Sequence, residues 1–190
     1  MFNIGGLLTS LGAVGALMYT MGADKSPANA GNRKAGFCAF TFLKGASIGP
    51  LVAAVLAQDP SLVVLAAVGT VAVFAAFTAV ALYAPRGRNT LLLGGILGSG
   101  LSALLVLSIA NMFVGSSTLF TAQLWGGLVL FSGFVAFDTQ LIIMRAESGF
   151  RDEISAAIDL FIDVVAIFVR LLIILSKNSK NKKRDRRDRR

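Results

Sequence analysis

The sequence predicts an all-α integral membrane protein, a bundle of about six hydrophobic helices with the last one central or re-entrant. Of its 190 residues, 55% are hydrophobic, and the mean hydropathy is +0.74. Only 15% are charged, well below the roughly 25% of soluble domains. The apolar residues also fall into six long runs. A soluble core of this size cannot bury so much apolar surface, so the chain is expected to lie in a bilayer.

Each apolar run has the length that a membrane-spanning helix requires. A helix of about 20 apolar residues crosses roughly 30 Å of hydrocarbon. The connections between the runs are short, so residues 1–176 are expected to form one compact bundle without a second domain. The six predicted spans comprise residues 4–21, 35–57, 62–84, 91–114, 119–144 and 154–175.

Residues that interrupt helices follow each of the first four spans. The first span is followed by a loop that contains Pro27, the second by Pro60 and the third by Pro85. Gly115 follows the fourth span, and the fifth ends before a charged loop at 145–153. The sixth span runs into a basic tail, residues 177–190, which is expected to be disordered.

Lysine and arginine are confined to alternate loops. Loops one, three and five contain them, whereas loops two and four contain none. Because positive charge in short loops marks the cytoplasmic side, the odd-numbered loops are predicted to be cytoplasmic and the first span to begin outside. The loop cations are Lys25, Arg33, Lys34, Arg86, Arg88, Arg145 and Arg151.

The basic tail does not fit this alternation. It contains nine Lys and Arg against two Asp, which favours a cytoplasmic tail that binds anionic lipid or a protein partner rather than nucleic acid. A sixth full crossing would place it outside. Either the sixth segment re-enters and returns to the cytoplasmic face, or it spans and the charge rule fails for the tail. The residues expected to bind lipid or a partner are Lys177, Lys180, Lys182, Lys183 and Arg184.

The residue types present exclude several kinds of site. Cys38 is the single cysteine and there is no histidine, so the sequence has neither an internal disulfide nor a metal site built on thiolate or imidazole. Catalytic triads are excluded for the same reason, and carboxylates are the useful titrating groups that remain. The Gly-x-Gly-Asp context of intramembrane aspartyl proteases is also missing. The sequence therefore indicates a protein that is not an enzyme and needs no cofactor.

Five ionisable residues lie well inside the predicted spans, where a charge costs at least about 2.5 kcal/mol and needs a partner or a function. At 1.5 Å per residue, Asp138 lies about 10 Å from the cytoplasmic end of its span, Asp163 about 14 Å and Lys44 about 15 Å. Asp163 shares a helix face with the shallower Asp159 and with Arg170. Asp138 lies on the preceding helix, so it is expected to meet Asp163.

Two carboxyl groups that meet away from water cannot both ionise readily. A proton shared by Asp138 and Asp163 would hold their helices together, and its loss would add repulsion and loosen them. This arrangement predicts a pH-gated path for cations, and carboxylate oxygens suit a transiently bound Ca²⁺. The alternative is that the aspartates pair permanently with Lys44 or Arg170 and only stabilise the bundle.

Two motifs in the last two spans resemble the Bax inhibitor-1 family. They are Phe-Asp-Thr-Gln-Leu-Ile-Ile at 137–143 and Ile-Asp-Leu-Phe-Ile-Asp at 158–163. The resemblance implies a seven-helix fold with the last helix surrounded by the others, of which this sequence lacks the first. It also implies residence in the endoplasmic reticulum membrane, suppression of cell death and a pH-sensitive Ca²⁺ leak. The family's pH-sensing aspartate pair falls on Asp138 and Asp163, with Asp159 as a neighbour.

The sequence departs from the family pattern at Lys44 and Met144. Lys44 stands where a neutral or acidic residue is usual, and a cation that reached the aspartates would favour permanent salt bridges over gating. An arginine that some bacterial relatives place beside the aspartates has its best counterpart in Arg33. Two functions therefore stay open: a cation leak, or a membrane scaffold that binds cell-death or stress-signalling proteins without conducting ions.

Overall fold

The computed structural model describes residues 4–84 and 88–189, and these residues are helical except at the short connections between helices. The described residues contain six α-helices and one short 3-10 turn, Pro27–Asn29. This confirms the all-α bundle that the hydropathy pattern predicts. The helices are α1 (Ile4–Gly22), α2 (Ala30–Gln58), α3 (Pro60–Tyr83), α4 (Arg88–Val114), α5 (Ser117–Glu147) and α6 (Glu153–Asp188).

The helix boundaries follow the predicted interruptions. Asp59 caps α3, because its carboxylate accepts a hydrogen bond from the N–H of Ser61 at 3.0 Å, while Pro60 occupies the first helical position. Gly115 adopts a φ of 65° between α4 and α5, a left-handed conformation that glycine tolerates best. Residues 85–87, with the loop cation Arg86, lie outside the described residues.

Four helices are long and apolar enough to cross a membrane: α2, α3, α5, and the Leu92–Val114 part of α4. The described part of α1 is apolar but shorter, Gly6–Gly22. Large apolar side chains such as Phe42, Val71 and Phe113 are exposed on the outside of the bundle. Such a surface is stable only against lipid, and the protein is therefore a multi-pass membrane protein.

Helix α6 lies in the middle of the bundle and packs against α2, α3 and α5. Ile158, Ile167 and Leu172, which are distributed along its length, are each 0% exposed. The burial explains how this helix carries charged side chains through the membrane, since the neighbouring helices shield it from lipid.

The sixth helix crosses the whole bundle and does not re-enter. Near its start, Ser155 accepts a hydrogen bond from Arg33 in the first part of α2. Near residue 176, the Ser176 hydroxyl donates to the side chain of Gln58 at the other end of α2. The end with Arg33 is called the loop end below, and the end with Gln58 the tail end.

The contacts of α6 at the loop end and the tail end distinguish between a re-entrant and a spanning sixth segment. Because α6 spans, the basic loops at 25–34 and 145–153 and the basic tail leave the bundle at opposite ends. This arrangement agrees with the second alternative, in which the sixth segment spans and the charge rule fails for the tail. The structure also continues α6 as a helix to Asp188, where the sequence suggested disorder from residue 177, and Lys and Arg are indeed good helix formers.

Gly36 permits a close approach between α1 and α2. A Cβ atom there would lie 2.3 Å from the Oγ1 of Thr20, which is 0% exposed and donates to the carbonyl of Ala16. Gly36→Ala is expected to destabilise the detergent-solubilised protein by about 1–3 kcal/mol through overpacking, measured as a lower Tm. Gly45→Ala in the same helix is the control, because its Cβ would meet open space. An equal Tm for the two variants would contradict the close contact.

Candidate functional site

The aspartate pair predicted from the sequence is assembled between α5 and α6. The side chains of Asp138 and Asp163 line one cavity and are close enough to interact with each other. Since an ionised carboxylate only accepts, a hydrogen bond between them would require that one of the two groups carries a proton and donates it. Asp163 is 3% exposed, and its Oδ2 atom is buried without a hydrogen-bond partner among the described residues.

The pair borders a small cavity between α4, α5 and α6. The cavity has a volume of about 150 Å³, and Asp159 is the third carboxylate on its wall. The remaining wall is apolar, formed by Leu101, Phe131, Phe134 and Ile162. In such surroundings charged carboxylates are poorly solvated, which favours the singly protonated pair. This cavity is called the aspartate cavity below.

Small residues on α4 and α5 position the helix that bears Asp138. A Cβ atom on Gly94 would lie 2.7 Å from the Phe137 ring, and one on Gly100 would lie 2.7 Å from Leu130. These glycines let α4 and α5 pack closely, as expected for helices in lipid. The close packing limits the rotation of α5, so Asp138 is held toward α6.

Asp159 lies between the aspartate cavity and a larger cavity at the loop end. Its carboxylate is 3.9 Å from the Nη1 atom of Arg145, and its side chain is 27% exposed. The larger cavity has a volume of about 590 Å³ and is lined by charged residues of both signs, among them Lys25, Arg145 and Asp152. Because Asp159 lines both cavities, it marks the point where they approach each other.

A buried ion-pair network at the loop end was not predicted from the sequence. Arg33 is 4% exposed, and its two terminal nitrogens each lie 2.9 Å from an oxygen of Asp152. Lys25 lies 3.0 Å from the same carboxylate, and the Ser155 hydroxyl donates to it at 2.7 Å. The network ties the beginnings of α2 and α6 together. Arg33 therefore contacts Asp152 and not the aspartate pair, unlike its suggested counterpart.

The Asp152 carboxyl is strongly stabilised in its ionised form. Burial opposes ionisation, but the hydrogen bonds from Arg33, Ser155 and Lys25 outweigh it and hold the pKa of Asp152 well below its usual range. Asp152 also accepts from the backbone N–H of Ser155 at 3.2 Å, which caps the start of α6. A lone Asp before an apolar run is the sequence signal for such a cap, but it does not reveal the partner on α2.

The two cations proposed as partners of the aspartates do not pair with them. No ion pair joins Lys44 or Arg170 to a carboxylate in the described part of the chain. The guanidinium of Arg170 lies instead over the ring of Phe131, 4.3 Å from the ring centroid, and donates to the carbonyl of Ala166. Permanent salt bridges to the aspartates are therefore not formed, which leaves the pair free to share a proton.

The tail residues predicted to bind lipid or a partner fall into two groups. Lys177 donates to the hydroxyl of Thr121 on α5 and so belongs to the tail end of the bundle. Lys180, Lys182 and Arg184 are exposed on the last turns of α6. The side chain of Lys183 lies outside the described residues. Binding by these residues stays a prediction.

Comparison with known proteins identifies the family. The family model described as inhibitor of apoptosis-promoting Bax1 matches residues 1–180. Bax inhibitor 1 of Homo sapiens is 44% identical over 174 residues, which cover 92% of this chain and 73% of the human protein. Bax inhibitor 1 of Arabidopsis thaliana is 41% identical over 180 residues, or 94% and 72% of the two chains. The chain therefore belongs to the Bax inhibitor 1 family.

Proposed function

We propose that this protein suppresses cell death in the endoplasmic reticulum membrane by acting as a pH-sensitive Ca²⁺ leak gated by Asp138 and Asp163. The observation that carries the proposal is the position of these two carboxyl groups on the wall of one mostly apolar cavity, close enough to interact. A hydrogen bond between them would join α5 to α6, so its loss would change how the two helices pack.

The gate follows from the proton that the pair requires. While one proton is shared, the pair carries a single negative charge and holds α5 against α6. When the proton leaves, two negative charges lie side by side with little water, and they repel each other. The helices then separate, and two unpaired carboxylates face the cavity as ligands for a passing Ca²⁺.

The cavities support a route to this gate. A cation entering the 590 Å³ cavity at the loop end meets Asp159 on its wall, and Asp159 also lines the aspartate cavity. No group of three or more acidic, Cys or His side chains among the described residues is placed to hold a metal ion. Two carboxylates without further ligands suit passage, because tight Ca²⁺ sites use six to eight oxygens.

The alternative function is a scaffold that binds anti-apoptotic or stress-signalling membrane proteins without conducting ions. One observation favours it: the basic end of α6 is an exposed helix with Lys180, Lys182 and Arg184. Such a helix suits anionic lipid or an acidic partner. Removal of residues 178–190 distinguishes the two functions. If the protein is a scaffold, the truncated form should no longer protect cells from death, whereas a leak should conduct ions as before.

The leak is tested by Ca²⁺ flux into liposomes that contain the purified protein. Flux is expected to be low at pH 5 and to rise at least about tenfold by pH 8, since one shared proton controls the gate. Protein-free liposomes are the control for passive leakage. A flux equal to this control at every pH between 5 and 8 would leave the scaffold as the better function.

A further inference from the structure

We infer that Arg170 and Phe131 form a second constriction on the cation route, which acts independently of pH and selects against divalent ions. The expected effect on ion flux rests on the proposed leak. The position of Arg170 and Phe131 as a constriction between two cavities does not depend on it. Three cavities follow one another along α6, and this pair of side chains lies at the boundary of the last two.

The order of the cavities is given by the α6 residues on their walls. Of the α6 residues, Ser155, Ala156 and Asp159 are among those that line the loop-end cavity. Asp159, Ile162 and Asp163 line the aspartate cavity. Val169, Arg170 and Ile173 line a third cavity of about 230 Å³, here called the tail-end cavity. The neighbouring helix α4 repeats this order, with Leu101 at the aspartate cavity and Leu104, one turn later, at the tail-end cavity.

Phe131 and Arg170 stack on each other from the walls of these two cavities. Phe131 lines the aspartate cavity, Arg170 lines the tail-end cavity, and the guanidinium carbon lies 4.3 Å from the ring centroid. On the inferred route, an ion that passes from the aspartates toward the tail end moves past this stacked pair. This stacked pair of one aromatic and one cationic side chain is called the partition below.

The guanidinium is held in this position from several sides. Its Nη1 atom donates to the carbonyl of Ala166 at 3.0 Å. A Cβ atom on Gly127 would lie 2.2 Å from the Nε atom, so the glycine leaves the space that the side chain occupies. A hydrogen bond and a cation–π contact thus hold Arg170 over Phe131, and Gly127 on α5 leaves room for its guanidinium.

The positive charge of Arg170 has no counter-ion within the part of the chain that the structure describes. No carboxylate of the described residues pairs with it, and its Nε atom is buried without a hydrogen-bond partner. An uncompensated charge inside a membrane bundle is costly and indicates a function. Because the repulsion grows with the charge of the ion, a fixed cation on the route opposes Ca²⁺ more strongly than K⁺.

A thiol-labelling experiment tests the partition without relying on flux. Leu101→Cys, in a Cys38→Ala background, places a thiol on the wall of the aspartate cavity. A permanently cationic, membrane-impermeant methanethiosulfonate is then added from the tail end. Labelling is expected to be slow with Arg170 present and at least about tenfold faster in Arg170→Gln. The same substitution should increase the labelling rate of an anionic reagent of the same size less, because Arg170 repels only the cationic reagent. Equal labelling of the cysteine with and without Arg170 would overturn the inference.

Two neighbouring glycines provide a matched pair for the same labelling experiment. Gly127→Ala displaces the guanidinium from the Phe131 ring and keeps its charge, so it should also speed labelling. Gly126→Ala is the control, since its Cβ would meet only Leu104, at 3.8 Å. Retention of slow labelling in Arg170→Lys would identify the charge as the barrier, and fast labelling in Gly126→Ala would count against the partition.

The flux experiment then tests selectivity. Arg170→Gln is expected to raise the Ca²⁺ flux at least about tenfold and the K⁺ flux less, with the pH midpoint unchanged. Lys34→Gln removes an exposed charge that lines none of the three cavities and should leave the ratio of the two fluxes as in the wild type. If the wild type conducts with the expected pH dependence but Arg170→Gln does not change the flux ratio, the barrier is wrong and the gate stands. If Arg170→Gln speeds labelling and no variant conducts, the partition stands and the leak is wrong.

Discussion

Replacement of Asp152 by alanine is expected to destabilise the protein by about 3–5 kcal/mol, the largest effect on stability of any single substitution considered. The side chain of Arg33 is 5% exposed and that of Asp152 is 7% exposed. Removal of the carboxylate leaves the guanidinium buried without its charge partner, which costs far more than the pair itself contributes. The loss is measured as a lower Tm, or a lower denaturant midpoint, of the detergent-solubilised protein.

Lys25→Ala is the matched control for this substitution. Lys25 contacts the same carboxylate, but its side chain is 46% exposed, and exposed ion pairs contribute about 0–1 kcal/mol. The double variant Arg33→Met/Asp152→Ala should recover most of the stability lost in Asp152→Ala, because no buried charge is then left unpaired. If Asp152→Ala and Lys25→Ala lower the Tm equally, the buried pair does not hold α2 to α6.

The effect of Asp152→Ala should not depend on pH between 5 and 8. A carboxyl whose pKa is lowered by folding adds stability above its unfolded pKa and loses it only as the pH falls through the lower folded pKa. The hydrogen bonds to Asp152 keep its pKa well below the usual value, so this group stays ionised throughout that range. Asp152 therefore fixes the loop end at every pH at which the gate is expected to respond.

The helices and the aspartate pair could be predicted because each depends on nearby residues. Apolar runs located all six helices, four of which are long and apolar enough to cross a membrane. Proline, glycine or charged residues located the turns between them. Asp138 and Asp163 were expected to meet because consecutive helices joined by a short turn pack together, and their depths along the two helices matched. The cavity that both side chains line agrees with that reasoning. The role of the pair as a gate stays a prediction.

The remaining features depend on distant residues or on side-chain direction. Arg33 and Asp152 are 119 positions apart, and no periodicity links them. Arg170 shares a helix face with Asp163 but binds Phe131 on α5, since a cation can stack on an aromatic ring as well as pair with a carboxylate. The sequence also offered no means to decide whether α6 spans, because the charge rule opposed a sixth crossing while the length of the apolar run allowed one. The hydrogen bonds of α6 with both ends of α2 resolve this point.

Asp163→Asn is expected to abolish the pH-dependent Ca²⁺ flux and keep the leak closed from pH 5 to pH 8. The asparagine amide donates a hydrogen bond to the carboxylate of Asp138 without needing a shared proton. The bond between α5 and α6 then persists when the pH rises, and only one negative charge remains in the cavity. Asp163→Ala should behave differently, because it removes the bond as well as the repulsion: its flux should be independent of pH and higher than that of Asp163→Asn.

Asp159→Asn separates the gate from a general effect of negative charge along the route. Asp159 lines the aspartate cavity and lies 3.9 Å from Arg145, so its neutralisation leaves the bonded pair intact. The flux of the variant should still depend on pH, with its midpoint at lower pH. The reason is that the negative charge of Asp159, which opposes ionisation of the pair, is removed. If Asp159→Asn loses its pH dependence while Asp163→Asn keeps it, proton sharing between Asp138 and Asp163 does not control the leak. A shared proton predicts the opposite order, since only Asp138 and Asp163 share it.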